Sequence, residues 1–164
     1  MKMLEAKVEG LALDMTTNSP VVILAPDGLN KVLPIWIGHA EAWGIAMELS
    51  GVKSKRPLTY DLLKEVIGTL HARVERVEIT ELKEQTFYAR IHLSVNGENL
   101  EIDARPSDSI ALALKVKAQI YVNEELFSIN EDESAEKPSM PTDPESLRER
   151  LRRINPEDFG KYSL

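Results

Sequence analysis

The chain has 164 residues, the usual size of one domain with a single hydrophobic core. Hydrophobic residues make up 43% and charged residues 29%, a composition typical of globular proteins and unlike that of disordered or fibrous chains. Cysteine is absent, which excludes disulfides, thiolate metal sites and thiol redox chemistry. The N-terminus is charged and no apolar run approaches a membrane span, so we expect a cytoplasmic protein that does not enter a membrane.

The charge balance argues against one class of function. The formal net charge is -7, and residues 1–127 alone contain 14 basic and 18 acidic residues. Proteins that bind nucleic acid mainly through its phosphates usually present a net positive face. Charge alone therefore disfavours nucleic acid as a partner.

The first half of the chain predicts three strands followed by two helices. Apolar stretches at 4–13, 21–25 and 32–37 are separated by turn residues and are typical of strands. Helical spacing predicts the first helix over 39–49. Thr59 is expected to cap the second helix, with Asp61 in its first turn. One apolar face of that helix is formed by Leu62, Leu63, Val66, Ile67 and Leu70.

A three-strand meander is predicted next, and its second hairpin turns at Asn96-Gly97. A two-residue turn there fixes the register of the two strands. It pairs three sets of apolar residues, namely Leu93 with Leu100, Ile91 with Ile102 and Ala89 with Ala104. On the other face it places His92 opposite Glu101, Arg90 opposite Asp103 and Tyr88 opposite Arg105.

The remaining segments complete the predicted architecture. Ser107 is expected to cap a third helix, and residues 120–122 are typical of a short strand. Residues 128–144 have the composition of a flexible acidic linker, and residues 145–164 predict a short arginine-rich amphipathic helix. We therefore expect an α/β domain of the α+β type over residues 1–127, with a mixed, mostly antiparallel sheet and about three packed helices.

Four separated segments resemble those of the bifunctional nuclease domain family. They are Leu33-Pro34-Ile35-Trp36-Ile37-Gly38, Glu41-Ala42, Arg56-Pro57-Leu58-Thr59-Tyr60-Asp61-Leu62 and Asp103-Ala104-Arg105-Pro106-Ser107-Asp108, in this order. The resemblance covers residues 4–127. It implies a nuclease that acts on RNA, DNA or both, and hence a hydrolase with nucleic acid as its partner.

Phosphodiester hydrolysis without a covalent nucleophile usually needs carboxylates, a divalent cation and a basic group for the phosphate. The candidate catalytic residues are therefore Asp108, Glu41, Asp61 and Arg105. For the metal, Mg²⁺ or Mn²⁺, the candidate ligands are Asp108, Asp103 and Glu41. The core has one basic cluster, a candidate phosphate-binding rim formed by Lys53, Lys55 and Arg56.

Each candidate also has a structural interpretation. Asp61 and Asp108 suit the first turn of a helix, where the dipole favours an acid. Glu41 fits a solvated helix face, Asp103 fits an ion pair with Arg90, and Arg105 fits stacking on a tyrosine. No P-loop, dinucleotide fingerprint or nucleophile elbow is present, so we expect no nucleotide cofactor.

Two alternatives to a nuclease stay open at this point. One is a non-catalytic binding or adaptor module, a homo-oligomer whose tail helix docks on a protein partner, since such a short helix is marginal by itself. The other is a small-molecule enzyme with a pocket near Asp108.

Overall fold

The computed structural model describes residues 1–128 and 151–154. The first half opens with β1 (Met3–Asp14), β2 (Ser19–Pro26) and β3 (Leu33–Trp36), which form antiparallel neighbours in the order β1, β2, β3. The three predicted strands are confirmed. No helix in the described part of the chain is long and apolar enough to cross a membrane.

The predicted meander is also confirmed. It consists of β4 (Ala72–Lys83), β5 (Thr86–Val95) and β6 (Glu98–Ala104). Asn96 and Gly97 have φ angles of 51° and 78°, the pair of positive values that a type I′ turn requires. The β5–β6 register is the predicted one from Ala89–Ala104 to Val95–Glu98.

The polar pairs on this hairpin differ from the prediction in their side-chain partners. Arg90 lies opposite Asp103, but its Nη1 binds Glu101 at 2.6 Å. Nε2 of the buried His92 lies 2.9 Å from Oε2 of Glu78, whereas its Nδ1 is 3.9 Å from Glu101. A cross-strand register fixes which Cα atoms are opposite, while long side chains reach diagonal neighbours as well.

The two halves join through β7 (Gln119–Asn123), which pairs antiparallel with β1 and parallel with β4. Together with a strand from the C-terminal region, these strands make one eight-stranded mixed sheet with the order β3-β2-β1-β7-β4-β5-β6. The predicted α+β class with a mostly antiparallel sheet is therefore confirmed. The short β7, predicted only as a strand, is the central element that connects the halves.

Four residues of the predicted C-terminal helix are a strand instead. Leu151–Ile154 form a strand, β8, which pairs antiparallel with Leu11–Asp14 of β1. Within β1, β7 pairs only with Met3–Ala6, so the rest of that β1 edge is open to a second strand. The helix prediction is wrong for these four residues because backbone pairing with a free edge stabilises them more than an isolated amphipathic turn does. The remainder of 129–164, including most of the predicted linker, lies outside the described residues.

Three helices accompany the sheet: α1 (His39–Ser50), α2 (Thr59–Thr69) and α3 (Pro106–Val116), and a short 3₁₀ helix follows β7 at Glu124–Phe127. The α3 helix packs against α1, α2, β4 and β5, and its middle residues from Ser109 to Ala113 are buried. Side chains of α3, β4, β5, β7 and the 3₁₀ helix share one hydrophobic core.

Two predicted helix caps are wrong. The N-cap of α2 is Leu58, and Thr59 is already helical; the carboxylate of Asp61 accepts the Leu58 N–H at 2.9 Å. In α3 the N-cap is Arg105 and the buried Ser107 lies inside the first turn. Proline favours the first position of a helix, so Pro106 moves the helix start one residue ahead of the expected cap.

The predicted apolar face of α2 is present but mostly faces solvent. Leu62 is 58% exposed and Leu70 67% exposed, and α2 has no buried residue. Helical periodicity therefore located the apolar face correctly, but it did not determine whether another part of the chain covers it.

Candidate functional site

Four side chains from three helices and one helix cap form a connected polar group, here called the Arg105 cluster: Glu41, Tyr60, Arg105 and Asp108. The guanidinium of Arg105 donates to both oxygens of Asp108, at 2.9 Å from Nε and 3.1 Å from Nη2. Its Nη1 lies 3.0 Å from Oε1 of Glu41. The Tyr60 hydroxyl donates to Oδ1 of Asp108 at 3.0 Å. Arg105 thus joins Glu41 of α1 to Asp108 of α3, and Tyr60 of α2 is attached through Asp108.

The protonation states in the cluster follow from its geometry. Burial, followed by the hydrogen bond to Asp108, raises the pKa of Tyr60 well above its ordinary value, so this phenol keeps its proton. The hydrogen bond to Asp108, followed by that to Glu41, raises the pKa of Arg105. The Arg105 side chain is 64% exposed, so a fixed cation is presented to solvent between two carboxylates.

Two glycines of α1 and its cap make room for these side chains. A Cβ built on Gly38 would collide with the carboxylate of Glu41. A Cβ built on Gly44 would lie 2.6 Å from Cε2 of Tyr60. Both positions therefore require a residue without a side chain if the cluster is to keep this arrangement.

A second charged group ties the same helices together. Lys115 of α3 binds Glu48 of α1, and its Nζ lies 2.5 Å from Oδ1 of Asp61 in α2. The Lys115 contact, and then the Leu58 N–H, lower the pKa of Asp61. Burial acts to lower the pKa of Lys115, but Asp61 and Glu48 outweigh it and raise that pKa. Asp61 is thus engaged in holding the helices and the α1–α2 loop.

A cleft of about 720 Å³ opens between α1, the α1–α2 loop, α2 and the end of α3. We call it the basic cleft, because its lining contains six cations and three acids. The cations are Lys53, Lys55, Arg56, Lys64, Lys115 and Lys117, and the acids are Glu48, Asp61 and Glu65. Tyr60 also lines the cleft, so it connects the cleft to the Arg105 cluster.

The structure thus brings together three of the four predicted catalytic residues, Asp108, Glu41 and Arg105. Arg105 follows the last residue of β6, Ala104, and its guanidinium binds the carboxylates of Glu41 and Asp108. Asp61 lies apart from them on Lys115. The predicted phosphate rim, Lys53, Lys55 and Arg56, lines the basic cleft.

The predicted metal ligands do not make a metal centre in this arrangement. Within residues 1–128 and 151–154, no three His, Asp or Glu side chains are grouped so that they could hold a metal ion. Glu41 and Asp108 share the Arg105 guanidinium, which occupies the place that a cation would take. Asp103 points to the opposite face of β6 from Ile102, whose cross-strand partner Ile91 belongs to the core on the helix side.

Sequence reasoning missed Tyr60, Lys115, Glu48, Lys64 and Lys117. Tyr60 stands within one of the segments that carry the family resemblance, so its position was available as a signal. Lys115 is the one lysine of α3 and lies in its last turn, where the helix dipole favours a cation, so the sequence did not mark it as a site residue. For Glu48, Lys64 and Lys117 the sequence offers no signal, because charged residues on helix faces and ends are common.

Comparison with known proteins supports the family resemblance that the four segments indicate. The sequence profile of the Bifunctional nuclease domain matches residues 21–134. An uncharacterized protein of Mycobacterium tuberculosis is 38% identical over 162 residues, which cover 94% of this chain and 97% of that protein.

Two plant proteins match over a shorter span. Bifunctional nuclease 1 of Oryza sativa subsp. japonica is 29% identical over 113 residues, 67% of this chain and 34% of the rice protein. Bifunctional nuclease 1 of Arabidopsis thaliana is 28% identical over 116 residues, 69% of this chain and 36% of that protein. With the profile match extending over more than half of its length, the chain belongs to the bifunctional nuclease domain family.

Proposed function

We propose that this chain binds RNA or DNA along the basic cleft and hydrolyses phosphodiester bonds at the Arg105 cluster. The observation that carries the proposal is the local reversal of charge. A chain with a net charge of -7 gathers six of its cations around one cleft, next to an exposed arginine flanked by carboxylates. The names of the plant relatives, bifunctional nucleases, agree with this assignment.

The cleft suits phosphates better than bases. Tyr60 is the one aromatic residue in its lining, and the Tyr60 ring lies against Gly44 with its hydroxyl on Asp108. A base-stacking platform needs a free aromatic face. Three cations of the cleft, by contrast, have no ion-pair partner among the described residues, namely Lys53, Lys55 and Arg56. They are therefore available to bind phosphate groups. Binding is therefore expected to depend strongly on salt and weakly on sequence.

In the proposed reaction, three members of the cluster have distinct roles. Both oxygens of Asp108 accept hydrogen bonds, so Asp108 positions Arg105 and Tyr60. Glu41 binds Arg105 through Oε1, which leaves Oε2 to take a proton from an attacking water. Arg105 then stabilises the charge on the phosphate while the bond to the leaving oxygen breaks and that oxygen takes a proton from solvent. No step depends on a metal ion.

Binding is tested by fluorescence anisotropy with labelled single-stranded RNA and DNA at several salt concentrations. The double variant Lys53→Gln/Lys55→Gln is expected to weaken binding and to lower the salt slope by about 1.4, since each single-strand phosphate contact contributes about 0.7. The matched control is Lys7→Gln/Lys83→Gln, which removes the same charge outside the cleft. Equal binding by the two double variants would refute the assignment of the cleft.

Cleavage is tested on the same oligonucleotides with EDTA, with Mg²⁺ and with Mn²⁺. We expect Glu41→Gln and Arg105→Gln to lose cleavage while they keep binding, because neither residue lines the cleft. An inert wild-type chain in all three conditions, or variants that cleave as well as wild type, would refute the catalytic assignment. Activity that requires Mg²⁺ or Mn²⁺ would contradict the metal-free steps given above for Glu41 and Arg105.

A further inference from the structure

The two edges of the sheet differ in their protection. One edge, β3, has four residues, contains Pro34 and has buried Leu33 and Ile35. Proline and shortness are devices that block pairing with another strand. The other edge, β6, has seven residues without proline, and six of them are exposed. In the described part of the chain, β6 has a neighbour on one side only.

The β6 edge exposes apolar side chains that could pack against another strand. Leu100 and Ile102 lie opposite Leu93 and Ile91, which belong to the buried core, yet each is 45% exposed. Their outer sides thus remain uncovered on the helix-bearing face of the sheet. An edge strand with free backbone groups and exposed apolar residues on one face is a template for another strand.

We propose that β6 pairs antiparallel with β6 of a second copy of this chain, about a two-fold axis at Glu101, so that the two sheets become continuous. This register follows from the sequence Glu98–Ala104 itself. It pairs all seven residues, and it sets Leu100 opposite Ile102 of the other copy twice. A shift by two residues in either direction shortens the ladder. The same strand supplies both halves of the contact, as a two-fold interface requires.

The charges on the opposite face also suit this register. Asn99 lies opposite Asp103 of the other copy, so an amide donor meets a carboxylate at both ends of the ladder. The two Glu101 residues meet at the axis, and each already binds Arg90 of its own chain at 2.6 Å. Two like charges therefore face each other at the axis, and the two Arg90 guanidinium groups offset their repulsion. Neither Glu98 nor Asp103 has an ion-pair partner among the described residues.

The proposed contact reaches the Arg105 cluster. The register that pairs Ala104 with Glu98 places the following residue, Arg105, beside Gly97 of the other copy. The β5–β6 turn of each copy thus borders the cluster of its partner.

The first test is the mass of the full chain in solution by light scattering over a wide concentration range. We expect twice the chain mass of 18.4 kDa. The variant Ile102→Glu is expected to weaken dimerisation at least tenfold while circular dichroism shows a folded chain. The control Leu29→Glu alters a residue of similar exposure, 39%, outside β6 and should remain dimeric. A monomeric wild type, or an Ile102→Glu dimer as tight as wild type, would overturn the proposal.

The second test addresses the register by disulfide cross-linking. The chain has no native cysteine, so only the introduced cysteines can form a disulfide. Opposed residues of antiparallel strands have Cα atoms about 4.5–5.5 Å apart, within disulfide range. Glu101→Cys is therefore expected to cross-link two copies on oxidation. Asn99→Cys faces Asp103, and its counterpart lies four residues along the strand, about 13 Å away. Cross-linking of Asn99→Cys as efficient as that of Glu101→Cys, or none by Glu101→Cys in a dimeric sample, contradicts the two-fold at Glu101.

Discussion

Replacement of Lys115 by methionine tests the charged group that holds the three helices together. The side chains of Lys115, Glu48 and Asp61 are 20%, 19% and 33% exposed, so water screens these ion pairs only in part. Removal of one member of a fully buried pair costs about 3–5 kcal/mol, and loss of an exposed pair costs about 0–1 kcal/mol. An intermediate burial gives an expected loss of about 2 kcal/mol in the free energy of unfolding.

The assay is urea denaturation followed by circular dichroism. With a slope of about 2 kcal/mol per molar urea, the loss corresponds to a midpoint about 1 M lower than that of wild type. The matched control is Lys64→Met, which changes an exposed lysine of α2 that has no ion-pair partner among the described residues. Its midpoint is expected to move by less than about 0.3 M. Equal shifts for the two variants would refute the structural role of Lys115.

The ion pair between Lys115 and Asp61 also predicts how the free energy of unfolding changes with pH. Lys115 lowers the pKa of Asp61 in the folded chain relative to its unfolded value, which is about 3.9. The resulting stability is complete above that value and is lost as the pH falls through the folded pKa. Wild type should therefore lose stability below about pH 4. In Lys115→Met the carboxylates of Glu48 and Asp61 repel each other without a cation, so acid should destabilise the variant less.

Three glycine substitutions are expected to differ in sign, and urea denaturation measures each of them. Gly44→Ala should destabilise the chain by about 1 kcal/mol, because overpacking against Tyr60 costs more than the gain in helix propensity. Cleavage should also fall as the Tyr60 ring moves; an unchanged stability and rate would contradict the close packing. Gly68→Ala in α2 meets nothing within 4 Å and should stabilise by about 0.5 kcal/mol. Gly97→Ala, at φ +78°, should destabilise by about 1 kcal/mol through backbone strain, and a stabilised variant would argue against the type I′ turn.

Local patterns in the sequence determined most elements of the fold. The Asn96-Gly97 turn requires positive φ at both residues, so it fixed the β5–β6 register without knowledge of the rest of the sheet. Alternating periodicity located the other strands, and helical periodicity located the three helices. Both patterns are local, because they depend only on residues that are close together in the chain. The family resemblance likewise rested on local segments such as Asp103–Asp108.

Only the tertiary structure decided which distant residues meet. The central position of β7, the pairing of β8 with β1 and the exposure of the α2 face depend on what other elements leave uncovered. The same holds for the Arg105 cluster and the basic cleft, whose residues come from α1, α2, α3 and the loop between α1 and α2. Periodicity shows that Glu41 and Asp108 belong to helices. The contacts of Arg105 with these two carboxylates depend on how the helices pack. A long side chain can reach several neighbours, and the fold determines which of them are close enough to bind.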